Sequence, residues 1–275
     1  MFTSRQQAQF DELGFVRLRN VFTDDDARRM RGVVWRELER RFGVLQGDRD
    51  TWKIETPSGM KSSKKHHAFE PIGGAPFVDA VDALLGPGEW AMPSHWGQLM
   101  ITFPCEGPPW SLPGRLWHID FPYANEPTPL FALKVFVFFG DVEPQGGGTL
   151  IVSGSHRAVE RFVTTVPPEK RADYRTCRIQ FMKHDPWFRA LARTEDPDPD
   201  RSARFMDSEH DADGIGVRVV ELTGQPGDIV ITHPWTLHHA APNRASSPRL
   251  MRTKAIYRFS ETAGDGDASP AESPT

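Results

Sequence analysis

Three side chains have the types and the chain order that a metal site needs: His118, Asp120 and one histidine of the pair His238–His239. On a β-strand successive side chains point to opposite faces, so His118 and Asp120 would project from one face. An imidazole and a carboxylate side by side supply two ligands, and a histidine from a distant strand would supply the third. Such a set leaves coordination positions open, which is typical of non-haem Fe(II) oxygenases. A His-x-Asp triplet alone is a weak signal, so the surrounding elements decide.

Those elements are mostly short strands separated by glycine and proline turns, which favours an all-β sandwich or barrel core. Helices are predicted only near the start, where Thr23 caps a helix whose first turn holds three aspartates, and where Pro76 opens another that ends at Gly86. The predicted strands cover residues 15–18, 96–103, 117–121, 131–139, 149–152, 217–222, 228–233 and 250–259.

The chain is predicted to form one domain over residues 1–260. A long acidic and turn-rich interruption between strands suggests an insertion or lid at about 162–216, and it includes the Asp-Pro run 196–200. The final residues, 261–275, are rich in Gly, Asp, Ser and Pro, and we expect a disordered tail there.

The bulk composition points away from several classes of protein. The 275 residues carry 33 basic and 37 acidic side chains, so neither a nucleic-acid partner nor a membrane surface is indicated. Two cysteines fit neither a disulfide scaffold nor a cysteine-based zinc site. No apolar signal segment or membrane span is visible, so a cytoplasmic protein with a small-molecule partner is expected, and no feature indicates its oligomeric state.

Several motifs in this order resemble those of the phytanoyl-CoA dioxygenase family, which are Fe(II)/2-oxoglutarate-dependent oxygenases. After the His-x-Asp triplet come Gly146–Leu150 (GGGTL) and Ser153–Arg157 (SGSHR). The segment Gly227–Asn243 (GDIVITHPWTLHHAAPN) and Arg249 follow, and the early segment Gly14–Thr23 (GFVRLRNVFT) is also similar. Residues from about 162 to 216 and the tail lie outside the resemblance.

The resemblance implies a double-stranded β-helix, a cupin-like jelly roll with the N-terminal helices packed on one side. It implies Fe(II), 2-oxoglutarate as cosubstrate, and O2. The iron would be held by His118, Asp120 and a distal histidine. Family members place a Pro-Asn pair a few residues after that histidine, which favours His238 over His239 because Pro242 and Asn243 follow in that register.

The resemblance also implies an arginine on the last strand for the far carboxylate of 2-oxoglutarate. Arg249, eleven residues after His238, has the matching position, and a guanidinium presents a two-pronged fork to a carboxylate. Arg252 and Arg258 are competitors, and Arg244 is a weaker one. Gln98 and Thr102 share one face of their strand and could contact the cosubstrate. Many family members have a serine where this chain has Ala240, which removes one possible hydrogen bond.

The expected reaction is hydroxylation of a small molecule, an amino acid or natural product, with release of succinate and CO2. Desaturation, cyclisation or epimerisation on the same ligands, a hydrolase or isomerase with another metal, and a non-catalytic metal-binding β-barrel are the alternatives. A coenzyme A thioester would need a basic groove, which residues 61–67 could offer. Candidates to line the substrate pocket are Trp96, Trp110, Phe121, Tyr123 and Lys134.

Overall fold

A computed structural model describes residues 1–61, 63–126, 128–193 and 200–259. It contains six α-helices within those ranges: α1 Ser4–Leu13, α2 Asp24–Phe42, α3 Ala75–Leu85, α4 Ser155–Thr165, α5 Tyr174–His184 and α6 Pro186–Leu191. The strands are β1 Phe15–Leu18, β2 Gln98–Thr102, β3 Ala132–Phe138, β4 Thr149–Ser153, β5 His210–Asp211, β6 Gly216–Glu221, β7 Ile229–Thr232, β8 His238–Ala240 and β9 Arg249–Tyr257.

Local sequence explains where the first two helices begin and end. Thr3 and Thr23 each accept a hydrogen bond from the backbone N–H three residues on, and the side chains of Gln6 and Asp26 accept one from the backbone N–H of the cap residue. These capping boxes satisfy backbone donors that a helix start would otherwise leave free. Both helices end at a left-handed glycine, Gly14 at φ 77° and Gly43 at φ 65°.

The strands form two antiparallel sheets, as the jelly-roll expectation requires. The larger sheet has the order β1-β7-β3-β9-β2, and the smaller has the order β5-β6-β4-β8. Neighbours in the larger sheet come from distant parts of the chain, so residues near both ends of the sequence meet in it.

Three apolar cores separate the layers. The inner core lies between the two sheets and includes Phe136, Phe138, Ile151, Val230 and Met251. A second core joins the outer face of the larger sheet to helices α1 to α3, and a third joins the outer face of the smaller sheet to α4, α5 and α6. Both sheets are therefore covered on their outer faces, and their inner faces meet around the inner core.

Two expectations about local structure were wrong. The segment from Trp117 to Phe121 is not a regular strand, and only a single bridge links His118 to His238. The interruption is not mainly loop either, because α4, α5 and α6 occupy much of it and bury Phe181, Trp187 and Phe188 against the smaller sheet. A lid function for this segment stays a prediction.

Two other expectations, the Asp-Pro turn and the tail at 261–275, fall on or largely on residues outside the described ranges. Across those ranges, no helix combines the length and the apolar character needed to cross a membrane.

Candidate metal centre

The bridge between His118 and His238 brings the two histidines together across more than a hundred residues. The backbone N–H of each donates to the carbonyl of the other, at 3.1 Å and 2.8 Å. The two imidazole centroids are 4.3 Å apart. Strand-like alternation turns Trp117 and Ile119 into the third core, so His118 and Asp120 face the interior.

Each histidine is oriented by a carbonyl two residues earlier. His118 Nδ1 lies 2.8 Å from the oxygen of Leu116, and His238 Nδ1 lies 3.0 Å from the oxygen of Thr236. A carbonyl can only accept, so each Nδ1 carries the proton and each Nε2 keeps a lone pair for a metal. Leu116 adopts a left-handed conformation at φ 71°, unusual for a branched residue, immediately before this segment.

The carboxylate of Asp120 lies between the two imidazoles. Its Oδ1 is 3.5 Å from His118 Nε2, and its Oδ2 is 3.4 Å from His238 Nε2 and also contacts the ammonium of Lys134. Burial alone would raise the pKa of Asp120, but His238, His118 and Lys134 together hold it well below its usual value. Burial lowers the pKa of His238, which favours the neutral imidazole that binds metals.

Within the described ranges, His118, Asp120 and His238 form the one group of three or more potential ligands whose donor atoms all lie within 4.8 Å of one another. His239 points away from this group, and its ring packs 5.5 Å from that of Trp117. Two further histidines lie away from this group: His156 and His233 are buried beside each other, with ring centroids 4.9 Å apart.

Arg249 lies on the inner face of the larger sheet, directly opposite Thr102 and two residues from Met251 of the inner core. It is 4% exposed, and burial lowers its pKa to about 10, so it keeps its charge at neutral pH. One Nη donates to the oxygen of Gly147 at 2.6 Å, while Nε has no partner. A buried guanidinium with an unused donor is a ready partner for a carboxylate.

The competing arginines are engaged elsewhere. Arg252 faces the N-terminal helices, where it donates to the oxygens of Gly97 and Ser63 and lies 3.7 Å from the centroid of the Phe69 ring. Arg258 pairs with Glu89 at 3.3 Å, and Arg244 donates to backbone carbonyls of the loop after β2. Alternation along β9 therefore separates Arg249 from Arg252 by face.

Thr149 is a candidate site residue that the sequence did not reveal. It pairs with Ala240 across β4 and β8, so both side chains lie on the inner face. Its hydroxyl is buried without a partner, and so is that of Thr253 on the inner face of β9. The exposed Ala240 position, where many family members have serine, is thus the cross-strand neighbour of a buried, unpaired hydroxyl. Only the cross-strand register, which a single sequence does not display, could have shown this.

Asn243 gives the Pro-Asn pair a physical role. This fully buried residue donates from Nδ2 to the oxygens of Thr102 and Ser247 and accepts from the N–H of Ala245. It thereby fixes the turn between β8 and β9, the strands that carry His238 and Arg249.

Three of the residues expected in the substrate pocket are core residues instead. Trp96 packs edge-on against Phe77 among the N-terminal helices, with centroids 5.1 Å apart. Phe121 and Tyr123 are at most 2% exposed and belong to the core behind the smaller sheet. Aromatic character did not identify the inner face, because these three rings pack into the cores on the outer side of the sheets.

The remaining predicted site residues differ in which face they occupy and in how far they are exposed. Trp110 is partly exposed and packs against the core behind the smaller sheet. Gln98 is exposed, Thr102 is buried, and both share the inner face with Met100. Lys134 lies on the inner face of β3 beside Asp120. Contacts of Gln98 and Thr102 with a cosubstrate stay a prediction.

A sequence profile of phytanoyl-CoA dioxygenase (PhyH) matches residues 10–251. The chain belongs to the phytanoyl-CoA dioxygenase family. The resemblance read from the motifs is therefore confirmed, and the match spans the His-x-Asp triplet, both histidines of the later pair, and Arg249. Among curated proteins, none matches the chain.

Solved structures share the fold of this family member at low sequence identity. AviO1 from Streptomyces viridochromogenes Tue57 has a TM-score of 0.51 at 15% identity, covering 99% of each chain. HygX from Streptomyces hygroscopicus, with nickel and 2-oxoglutarate bound, has a TM-score of 0.52 at 12% identity, covering 94% of this chain and 88% of its own. EctD from S. alaskensis, with bound Fe, has a TM-score of 0.51 at 17% identity, covering 93% and 76%. The jelly-roll fold is thus confirmed.

Proposed function

We propose that this protein is an Fe(II)- and 2-oxoglutarate-dependent dioxygenase that hydroxylates a small molecule, releasing succinate and CO2. One observation carries the proposal: His118, Asp120 and His238 converge in the same interior that holds the buried, partly unpaired Arg249. Family membership supports this chemistry, and the proposed location is the cytoplasm.

In this proposal His118, Asp120 and His238 hold the Fe(II), and Arg249 binds the far carboxylate of 2-oxoglutarate. The unpaired Nε of Arg249 and the unpaired hydroxyls of Thr149 and Thr253 fit a dicarboxylate, since buried polar atoms normally have partners. With O2, the bound iron and cosubstrate supply the oxidising power that breaks a C–H bond of the substrate. The chain's own part is to orient these groups and exclude water.

Asp120 favours hydroxylation as the outcome. Halogenases of this family have a small residue in place of the carboxylate, which lets chloride bind, whereas this chain keeps the carboxylate in contact with both histidines. Desaturation, cyclisation and epimerisation use the same ligands and are distinguished by product analysis.

The test is an anaerobic titration of the protein with Fe(II) and then 2-oxoglutarate. We expect a visible metal-to-ligand charge-transfer band with a stoichiometry of one, and its loss in His118→Ala. His239→Ala is the matched control, because the neighbouring histidine points away from the site and should leave the band intact.

Succinate release on adding O2 completes the test. A protein that binds iron stoichiometrically but forms neither the band nor succinate would be a non-catalytic metal-binding protein. Loss of the band in His239→Ala but not in His238→Ala would contradict the assignment of the distal ligand.

A further inference from the structure

Lys134 is a cation on the inner face of the larger sheet. The proposed reaction gives it no role. Two residues on along β3, Phe136 belongs to the inner core, while Leu133 and Val135 on either side face the N-terminal helices. The side chain of Lys134 is 17% exposed and its ammonium contacts Asp120 Oδ2. A long cationic side chain turned inward needs an anion there, because a buried charge without a partner is strongly unfavourable.

Strand register places Lys134 and Arg249 on opposite sides of Phe136 along the larger sheet. The rings of Phe136 and His238 are 6.2 Å apart, so His238 lies beside Phe136, which pairs with Thr253 on β9. Arg249 lies four residues from Thr253 in one direction. Lys134, paired with Ala255, lies two residues away in the other. At about 3.3 Å per residue, these offsets are about 13 Å and about 7 Å.

The end of the inner face that holds Lys134 reaches solvent beside two tyrosines. Tyr257 follows Ala255 by two residues on the same face of β9 and is 40% exposed. The hydroxyl of Tyr174, from α5, donates to the oxygen of Ile119 between His118 and Asp120. His118 itself is 37% exposed on its side chain. Solvent therefore reaches the ligand His118, whose neighbour Asp120 contacts Lys134.

We propose that Lys134 binds a carboxylate of the substrate, so that the enzyme acts on carboxylic acids, including amino acids. This inference rests on the proposed function. Asp120 is the present partner of the ammonium, but a bound metal shares the charge of that carboxylate and weakens the pairing. The far carboxylate of 2-oxoglutarate is assigned to Arg249, at the other end of the inner face. The substrate is therefore the remaining ligand that can bring an anion to Lys134. A carboxylate suits a single ammonium, whereas phosphate sites usually combine several donors.

The test measures binding of paired probes to the anaerobic protein loaded with Fe(II) and saturating 2-oxoglutarate. The probes are aromatic and aliphatic monocarboxylates, each paired with its own primary amide, and calorimetry gives their affinities. We expect acids to bind at least about tenfold more tightly than their amides, as a charge-assisted contact implies. The charge-transfer band is recorded at each point, and probes that bleach it are set aside because they displace 2-oxoglutarate.

The variants are Lys134→Met and Lys134→Gln, the second of which keeps a donor for Asp120. Both should abolish the preference for acids, and Lys134→Arg should retain it. Lys254→Met, on the next strand opposite Val135 and therefore on the outer face, is the matched control and should behave as the unaltered protein.

The outcomes separate this inference from the proposed function. If the band and succinate form but acids bind no better than amides, or no acid binds at all, the role of Lys134 is overturned while the dioxygenase assignment stands. A preference for acids that survives in both Lys134→Met and Lys134→Gln overturns it as well. If the band never forms, the proposed function itself fails.

Discussion

Strand β9 carries two buried arginines three residues apart, and they serve opposite faces of one sheet. Arg252, on the outer face, donates to the oxygens of Gly97 and Ser63 and stacks on Phe69. Arg249, on the inner face, donates to the oxygen of Gly147, and its Nε has no partner. The Nε of Arg252 is without a partner too, but both of its Nη groups donate to backbone oxygens, whereas one Nη of Arg249 does, so the inner arginine has more binding capacity to spare. The comparison separates residues that stabilise the fold from residues that await a ligand.

Arg249→Met should give the largest effect, a loss of affinity for 2-oxoglutarate. It tests the role given to the arginine on the inner face. Removing one member of a buried charge pair costs about 3 kcal/mol, so affinity for 2-oxoglutarate should fall roughly 100-fold. Succinate formation should fall with it. The unfolding free energy should change by less than about 1 kcal/mol, because the guanidinium has few partners in the protein. Titration of the charge-transfer band and urea unfolding measure the two quantities.

Arg252→Met should give the opposite pattern. It leaves the oxygens of Gly97 and Ser63 without their donor and removes the stacking on Phe69, a loss of about 3 kcal/mol in unfolding free energy. For a domain of this size the melting temperature should drop by about 6–10 °C. Affinity for 2-oxoglutarate should stay within about twofold below that temperature. If 2-oxoglutarate binding collapses in Arg252→Met and survives in Arg249→Met, the two roles are reversed.

Protonation of buried histidines in the outer layers should lower the free energy of unfolding without acting on the metal site. His156 is 5% exposed between α4 and α1, where Nε2 lies 3.0 Å from the oxygen of Asp11 and Nδ1 is unpartnered. Burial lowers its pKa to about 4, and burial likewise places the pKa of His233 well below its usual value. A histidine with a depressed folded-state pKa is neutral when folded but takes up a proton when unfolded at acid pH.

The stability penalty from His156 therefore starts below its unfolded-state pKa of about 6.5 and grows until the pH reaches about 4. At pH 5 this amounts to about 2 kcal/mol. Urea unfolding at pH 7 and pH 5 should show the unaltered protein losing about 2 kcal/mol more than His156→Gln over that interval. Equal losses in the two proteins would mean that His156 is not the buried neutral group assigned here.

Sequence patterns predicted which residues share a face, but not which face is inner. Period-two alternation correctly grouped His118 with Asp120, because side chains alternate whatever the environment. Arg249 was favoured over Arg252 by its spacing from His238, and the opposite faces of the two arginines became evident only in the structure. Strand β3 is buried on both faces, so its hydrophobicity could not distinguish the inner core from the outer one. Aromatic character likewise did not show that Trp96 packs under the N-terminal helices rather than in the pocket.

Contacts between distant segments were also beyond the sequence. The bridge between His118 and His238 replaces the expected strand, and the partnership of Lys134 with Asp120 depends on how β3 lies beside that segment. In the interruption, turn-rich composition masked α5 and α6, whose apolar faces become evident only where they pack on the smaller sheet.

Thr149→Val should give the smallest effect and the finest test of the comparison. Thr149 is 1% exposed, its hydroxyl has no partner, and it faces Ala240 where many family members have serine. If that hydroxyl awaits the cosubstrate, the nearly isosteric valine should weaken 2-oxoglutarate binding about fivefold to tenfold, the worth of one hydrogen bond. The free protein should gain up to about 1 kcal/mol in stability, because a buried unsatisfied hydroxyl is removed.

Ala240→Ser is the complementary variant, because it restores the family's serine on the strand facing Thr149. Added to Thr149→Val, it should recover most of the lost affinity, since the two side chains lie across one cross-strand pair and either hydroxyl would face the same space. A fall in stability with unchanged 2-oxoglutarate affinity in Thr149→Val would instead place Thr149 with Arg252, among the residues that only support the fold.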